Sequence, residues 1–555
     1  MNDLYIHSVY DSDNWSRLSI NNTLGNIKEN SRKRNNSRKT SLFSTANNFR
    51  QSYLLRYYIL KNSLIQNSSF IFHNSDNVDT KEVILSRSGR ILTDCFEEID
   101  IDKSKFLIRS IKSLLGTDKK ATLFGMLIKN EDNELLLEDP TYKVKLEINI
   151  NNTFFGRGIY CLNHMVVVRG KMNSLTNSFE VELLFHPPTQ NIDENLSRNI
   201  IDKSVSLAMN TFNMNEKKST PLESKIIIPL TQTNMKYFKL EETSISENCS
   251  EKIESWIVLS DLLLTSNQVI TNLEKVFSGY EQAICGSKTK LGFILFGNFI
   301  GVGDENFTEK TDDTNIKLSK KLNLIDRKEN NETNKLFFDF GSENKNENSS
   351  SLLTFEITRK YFNELKVLLN KFPTLKNNCI FLIIPGPNDI GPDLLPKNPL
   401  IDYFTSNITQ EFPNNNIYLK SSPSRLNDNG NSIFLMRHSL SVELKEKTIY
   451  SYFGEDNMGH TKYWNMDSKI LEQIIPPTIL GQKHVTPTSS NIIPTLDASF
   501  YLFPTPNVII IGDSGPSYSV KPIDNVWIVN PGSFKNTNSW IQYNVVDNSI
   551  DHVWL

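Results

Sequence analysis

Five runs in the second half of the chain, WIVLSD (256–261), KLGFILFGN (290–298), CIFLIIPG (379–386), NVIIIGD (507–513) and VWIVNPG (526–532), are apolar almost without interruption. A strand that alternates apolar and polar residues can leave one face in water, whereas a strand with no polar face must be covered on both sides. Two intervening stretches carry apolar residues at helical spacing: Val269, Leu273, Val276 and Phe277 in the first, Ile357, Tyr361, Leu365 and Leu368 in the second. This alternation predicts an α/β layered domain over 251–555 with both sheet faces buried. The long Asn/Lys/Glu-rich stretch 304–351 interrupts it and reads as an inserted disordered loop, apart from a small apolar patch at Leu336 to Phe340. Such an insertion costs little, because loop-closure entropy grows only slowly with length.

Upstream the period changes from 3.6 to 2. ATLFGMLIKN (121–130), ELLLEDP (134–140), VKLEINI (144–150), MVVVRGKM (165–172) and FEVELLFHP (179–187) predict five short strands within a unit spanning 105–190. Five such strands suit a small Greek-key barrel of the OB type. OB barrels often bind single strands through exposed aromatics in a basic groove. The strand positions here are mainly Leu, Ile and Val among mixed charges, so a protein-binding or structural barrel is the expectation. Residues 51–104 form a helical segment in which Tyr53, Leu54, Tyr57, Tyr58 and Leu64 share a face, with core packing as their role. Residues 191–250 read as a polar linker apart from KIIIPL (225–230), and residues 1–50 as a disordered, basic tail. The run SRKRNNSRK (31–39) within that tail matches a nuclear import signal or a DNA-touching patch, against the commoner solvated tail.

The 555 residues carry 60 Lys and Arg against 63 Asp and Glu, a net charge of -3, so the chain as a whole lacks the footprint of a phosphate-backbone binder. Five scattered cysteines form no C-x-x-C pair, which predicts a reducing compartment and neither a zinc ribbon nor a redox centre. No stretch approaches 18 apolar residues, and the first residues have acidic groups where a secretory signal would be basic. The expectation is therefore a protein with no membrane span and no secretory signal.

In α/β sheets, sites lie beyond the carboxyl ends of the strands. The residues there are Ser260-Asp261, Gly297-Asn298, Gly386-Pro387-Asn388-Asp389 and Gly512-Asp513-Ser514. Small residues followed by Asp or Asn, strand after strand, are how a two-metal phosphoesterase would be laid out. Two cations roughly 3.5–4 Å apart need a bridging carboxylate and several imidazoles, and this set is short of both. GDSGP (512–516) looks like the nucleophile loop of a serine protease, but Ser514 follows an α/β strand, the wrong setting for that triad. Neither a phosphate-cradling glycine motif nor H-E-x-x-H is present.

The segments SLLGTDKKATLFGMLI, LLLEDPTYKVKLEI, ELLFHPPT, WIVLSDLLL, FILFGNF, IIPGPNDIGPDLLPKNPL, KHVTPT and VNPGSF occur in that order through most of 50–535. Together they resemble the B-subunits of eukaryotic replicative DNA polymerases. PGPNDIGP followed by LPKNPL resembles the epsilon branch more than the alpha or delta branches. The resemblance implies an α+β multi-domain chain: an OB-type β-barrel plus a calcineurin-like phosphoesterase α/β sandwich that is catalytically degenerate. It implies that D-x-H has become Asp261-Leu262-Leu263, G-D has become Gly297-Asn298, G-N-H has become Gly386-Pro387-Asn388 and G-H-x-H has become Gly512-Asp513-Ser514-Gly515. His484 is the one histidine in a family position. The vestigial positions are thus Asp261, Leu263, Asn298, Asn388, His484 and Asp513, with no catalytic residue, cofactor or metal.

The implied role is a non-catalytic scaffold subunit of DNA polymerase epsilon, acting in the nucleus in chromosomal replication. Its implied partner is the C-terminal zinc-binding region of the catalytic subunit. Further contacts to the replicative helicase and GINS, and a weak one to DNA, come with the resemblance, although the family's N-terminal helical domain is not recognisable in the first fifty residues. IIPTLDASFYLFPTPN (492–507) is either a partner surface or a buried core edge. Two other readings stay open: an active two-metal phosphoesterase or exonuclease using Asp261, Asn388, His484 and Asp513, and a single-strand DNA-binding module through residues 100–190.

Overall fold

The computed structural model describes residues 5–8, 46–67, 69–72, 106–114, 120–189, 194–216, 253–285, 290–300, 345–409, 416–428, 431–452, 467–488, 490–521 and 526–555. The basic run 31–39, the KIIIPL stretch and the apolar patch at 336–340 lie outside these residues. So does the 304–351 insertion up to the helix Lys345–Leu369, which takes up its last residues.

Strands Ala121–Lys129, Leu135–Glu138, Lys143–Glu147, Ser178–Phe185 and Met165–Asn173 pair in that circular order, and the last pairs back onto the first. All joins are antiparallel except the parallel one between 143–147 and 178–185. A closed five-stranded barrel of the OB type results, with no free edge within its ring. Its interior is filled by Leu123, Leu127, Leu137, Val166, Val168, Phe179 and Leu184, which alternate with outward residues as the pleat requires. On its outside, Phe124, Val167 and Phe185 pack against Tyr57, Leu60 and Leu64 of the helix Ala46–Gln66.

The second half is built of four layers. One six-stranded sheet runs Ile417–Leu419, Ile380–Ile384, Lys290–Phe296, Ile253–Leu259, Ser539–Asn544, Ser549–Trp554. Its first four strands are parallel, and the C-terminal hairpin is added antiparallel. The other sheet is centred on Asn431–Arg437, Val508–Gly512 and Trp527–Asn530, also parallel. The pleat explains the continuous apolar runs. Ile257, Leu259, Phe293, Leu295, Phe381 and Ile383 face the helices Asn267–Ile284 and Lys345–Leu369, while Val258, Ile294, Phe296, Leu382 and Ile384 face the second sheet. The second sheet does the same, sending Ile433, Leu435, Val508 and Ile510 to the shared layer. Its Phe434, Met436, Ile509 and Ile511 face the helix Ser468–Gln482. In the shared layer Trp256 is fully buried and donates its indole N–H to Asp428 at 2.8 Å.

Barrel and sandwich are joined by paired strands, Gly158–Cys161 with Thr448–Tyr452. They are also joined by the buried Gln482, whose Oε1 accepts the Met165 N–H at 2.8 Å and whose Nε2 donates to the Met165 carbonyl at 2.7 Å and to His186 Nδ1 at 3.0 Å. Gln482→Leu is expected to cost about 2–3 kcal/mol, since it strands two buried main-chain groups. Chemical denaturation of the full chain checks this.

Three readings need correction, and one left open is decided. Residues 191–250 hold a helix, Glu194–Glu216, packed on the N-terminal helix through Ile200, Ile201 and Val205 beside Ile59. Its signal was diluted by the polar residues between those few apolar ones. In the N-terminal tail, Tyr5–Ser8 form an antiparallel edge strand on Ser424–Asp428, and the first helix already begins at Ala46. It stops at Gln66, and the strand Phe70–Phe72 then pairs with Phe106–Arg109, so 51–104 is not helical throughout. In 492–507, Ile493, Leu496, Phe500, Tyr501, Leu502 and Phe503 are buried, which makes that stretch core edge rather than partner surface.

Candidate functional site at the strand ends

The parallel strands bring their carboxyl ends together, and Asp261, Gly297, Asn298, Asn388 and Gly512 meet there. Asp261 has φ +62°, the left-handed region that Asp tolerates better than most residues. The turn aims its carboxylate across the strand ends. Oδ1 accepts from Asn298 Nδ2 at 2.9 Å and from Arg437 Nη2 at 3.1 Å, and Oδ2 accepts from Ser533 Oγ at 2.6 Å. Burial pushes this carboxyl up, but the Arg437 charge and the Ser533 and Asn298 hydrogen bonds outweigh it and hold it below the usual range. Asn298 Oδ1 in turn accepts the Asn388 N–H at 3.0 Å. Gly297 and Gly386 are needed here: a Cβ on Gly297 would lie 1.9 Å from Asp389 Oδ2, and one on Gly386 would lie 2.7 Å from the main chain of Gly297.

Arg437, the last residue of its strand, is fully buried. Its Nε donates to the Gly297 carbonyl at 2.9 Å, Nη1 to the Gly512 carbonyl at 2.9 Å and Nη2 to Asp261. One guanidinium thus ties three strand ends. The next loop has its own cation. The buried Lys397 donates to the carbonyls of Asp389 at 2.7 Å, Pro387 at 3.2 Å, Pro392 at 3.3 Å and Gly391 at 3.4 Å. Burial lowers its pKa, opposed by Asp389 and Asp393. Asp389 itself is raised by burial to about 6, although it accepts N–H bonds from Gly386 and Ile300.

The remaining predicted positions point elsewhere. Leu263 packs in the helix-facing core. Asp513 accepts the Ser441 N–H at 2.7 Å and the Gly515 N–H at 3.3 Å. His484 is buried with both ring nitrogens used: Nδ1 accepts the Thr486 N–H, so Nε2 carries the proton and donates to Asp497 Oδ1 at 3.1 Å. Tyr501 Oη donates to the other Asp497 oxygen. Burial lowers the His484 pKa against the pull of Asp497, which keeps the ring neutral. A ring so committed cannot ligate a metal without breaking this network. His438 follows Arg437, but its Nε2 pairs with Glu443 Oε2.

Sequence reasoning missed Arg437 and the strand that carries it. The signal was the apolar run IFLM between Asn431-Ser432 and Arg437.

A two-metal centre does not fit these residues. Among the described residues no group of three or more His, Cys, Asp or Glu is placed to hold a metal ion. The charges on the surface of the barrel include paired lysines and glutamates. Lys120, Lys143, Lys145 and Lys171 pair with Glu182, Glu138, Glu134 and Glu180, and its exposed rings include Tyr142 and Phe154.

A closed OB barrel joined to a layered α/β domain with a carboxylate-poor strand-end cluster defines a class, and comparison with known proteins identifies it. Residues 46–188 match the DNA polymerase epsilon subunit 2-like OB-fold domain, and residues 256–520 match the B-subunits of DNA polymerases alpha and epsilon. The chain belongs to this B-subunit family. It is 23% identical over 440 residues to the DNA polymerase epsilon B-subunit of Arabidopsis thaliana, covering 79% of this chain and 66% of that protein. It is 24% identical over 526 residues to the DNA polymerase epsilon B-subunit of Saccharomyces cerevisiae, covering 87% and 65%. To DNA polymerase epsilon subunit 2 of Homo sapiens it is 23% identical over 442 residues, covering 78% and 66%. The chain thus spans just under two thirds of the length of these relatives.

Proposed function

We propose that this chain is a non-catalytic scaffold subunit of a nuclear DNA polymerase epsilon complex and holds the C-terminal zinc-binding region of the catalytic subunit. On this reading residues 105–190 are its OB domain and 251–555 a degenerate calcineurin-like phosphoesterase domain. Asp261, Leu263, Asn298, Asn388, His484 and Asp513 are its vestigial positions. The observation that carries the reading is Arg437: a buried guanidinium occupies the oxygen cluster where catalytic cations would have to bind. Family membership supports the partner, and contacts to the helicase, GINS and DNA are secondary expectations.

The test is co-purification of the tagged full chain from its own cells. Recovery of the polymerase epsilon catalytic subunit is expected, as is no hydrolysis of a phosphodiester in the presence of Mn²⁺. Turnover that depends on Asp261, or failure to recover the large subunit, would overturn the reading.

A further inference from the structure

The strand Ser549–Trp554 closes one end of its six-stranded sheet, and among the described residues no strand pairs with its outer side. Inner strands of that sheet are buried almost throughout, whereas none of these six residues is buried. The ladder shows which main-chain groups point outward. Leu555 donates its N–H to the Asn538 carbonyl at 3.2 Å, in register with the pairs Val553 with Trp540 and Asp551 with Gln542, so the odd-numbered residues commit their main-chain groups to the neighbouring strand. Ile550, His552 and Trp554 therefore turn N–H and C=O to the free side. Native edges of this kind are usually guarded by lysine, proline, a bulge or sheer shortness. This one, SIDHVW, has neither lysine nor proline, and its register runs through six pairs without a shift. The sheet's other edge, Ile417–Leu419, is only three residues long. Trp554 ends the unguarded edge with 60% of its surface exposed.

We propose that this edge pairs antiparallel with the same edge of a second copy of the chain, across a two-fold axis at His552. The strand's own sequence selects both partner and register. A two-fold axis perpendicular to the sheet sets residues of equal parity opposite each other. Centred on His552, it sets Ile550 opposite the partner's Trp554, His552 opposite the partner's His552 and Asp551 opposite the partner's Val553. All three outward residues then meet outward residues, each donating one hydrogen bond and accepting one. Ile550 with Trp554 is an aromatic and β-branched pair, a favourable cross-strand combination, and no carboxylate meets another. Burial lowers the His552 pKa against the pull of Asp551, so the two facing rings are neutral at neutral pH. An axis centred on Asp551 would instead set that carboxylate opposite itself and Trp554 opposite Asn548 beyond the strand. Trp554 stacks on His552 with ring centroids 6.2 Å apart, so the stacks of two copies meet at the axis. Any strand could satisfy the main chain, but the side chains of this one complement themselves. Contact along a single strand edge belongs with weak, transient interfaces, and a dissociation constant on the order of 100 µM is expected. The pairing does not involve the strand-end cleft and so stands or falls apart from the scaffold reading.

The experiment is sedimentation velocity of the full chain from about 1 to about 300 µM, where monomer at the low end and mostly dimer at the high end are expected. His552→Lys and His552→Glu each set like charges opposite one another at the axis, and each is expected to weaken self-association about three- to fivefold. Mixed in equal amounts, the two variants should form a heterodimer, because lysine then faces glutamate; a merely structural role for His552 would give no such rescue. Trp554→Asp, at an exposed position, removes both aromatic pairs and is expected to weaken association about tenfold. It serves as the second variant if circular dichroism shows the His552 variants misfolded. Hydrogen exchange gives the residue-level reading: the amides of Ile550, His552 and Trp554 should exchange fast in dilute protein and slow in concentrated protein. The inference fails if wild type stays monomeric at about 300 µM, if the folded variants associate as wild type does, or if the mixture does not pair. It fails equally if those three amides are already protected in the monomer, which would mean that another part of the chain covers the edge.

Discussion

Asp261→Ala is expected to destabilise the protein by about 3–5 kcal/mol, because it leaves the fully buried Arg437 without its carboxylate. Two further groups lose their acceptor: Asn298 Nδ2 and Ser533 Oγ. The usual expectation for a vestigial catalytic acid is the reverse, since a carboxylate released from its metals and kept only by descent should be dispensable. Urea denaturation of wild type and Asp261→Ala decides between these. A loss under about 1 kcal/mol would mean that the guanidinium finds other acceptors and that the cluster is not a structural unit.

The second large effect concerns acid. His186 is buried against Tyr160, with Nδ1 accepting from Gln482, and burial pushes its pKa down to about 3. In the unfolded chain a histidine titrates near 6.5. The folded pKa is the lower one, so the unfolded chain takes up a proton first as the pH falls. The neutral ring's contribution is complete above about pH 6.5 and is lost towards about pH 3. His164 and His484 are shifted the same way by burial. Asp389 opposes them: its pKa is raised to about 6, so its contribution is complete below the usual carboxylate range and is lost as the pH rises through about 6. Asp389 thus offsets part of the loss as the pH falls from about 6. His186→Gln is expected to reduce the stability lost between about pH 6.5 and 4 by about 3 kcal/mol, seen as a flatter denaturation profile. Parallel profiles for variant and wild type would show that His186 does not titrate with unfolding.

What was legible in the sequence is what local pattern can carry. The runs 256–261, 290–298 and 379–386 could be read as doubly covered strands, because a strand between two layers has no polar face to interrupt it. The five barrel strands were legible for the opposite reason, a period of two between turn residues. What escaped depends on pairing at a distance. Tyr5–Ser8 become a strand only because Ser424–Asp428 offers an edge, and four residues carry no register of their own. His484 stands in the order expected of a metal ligand, yet order along a chain does not fix where a ring points. Its nitrogens went to Thr486 and Asp497. Arg437 was missed because nothing in an isolated arginine says that three carbonyl-bearing loops will close on it. The segment 492–507 was ambiguous for a simpler reason: composition does not distinguish a buried apolar edge from an exposed one.

The seam between barrel and sandwich has a consequence for synthesis. Ile159 donates its N–H to Thr478, 319 positions further along, and the strand around it pairs with Thr448–Tyr452. At ribosomal rates of about 5–20 residues per second, the Gly158–Cys161 strand waits on the order of tens of seconds for its mate. Throughout that interval the nascent barrel carries an unmatched edge and a surface for Gln482 that nothing covers. A ribosome stalled before codon 448 would therefore release a chain whose first half has folded around a gap, a form that chaperones must hold or proteases remove.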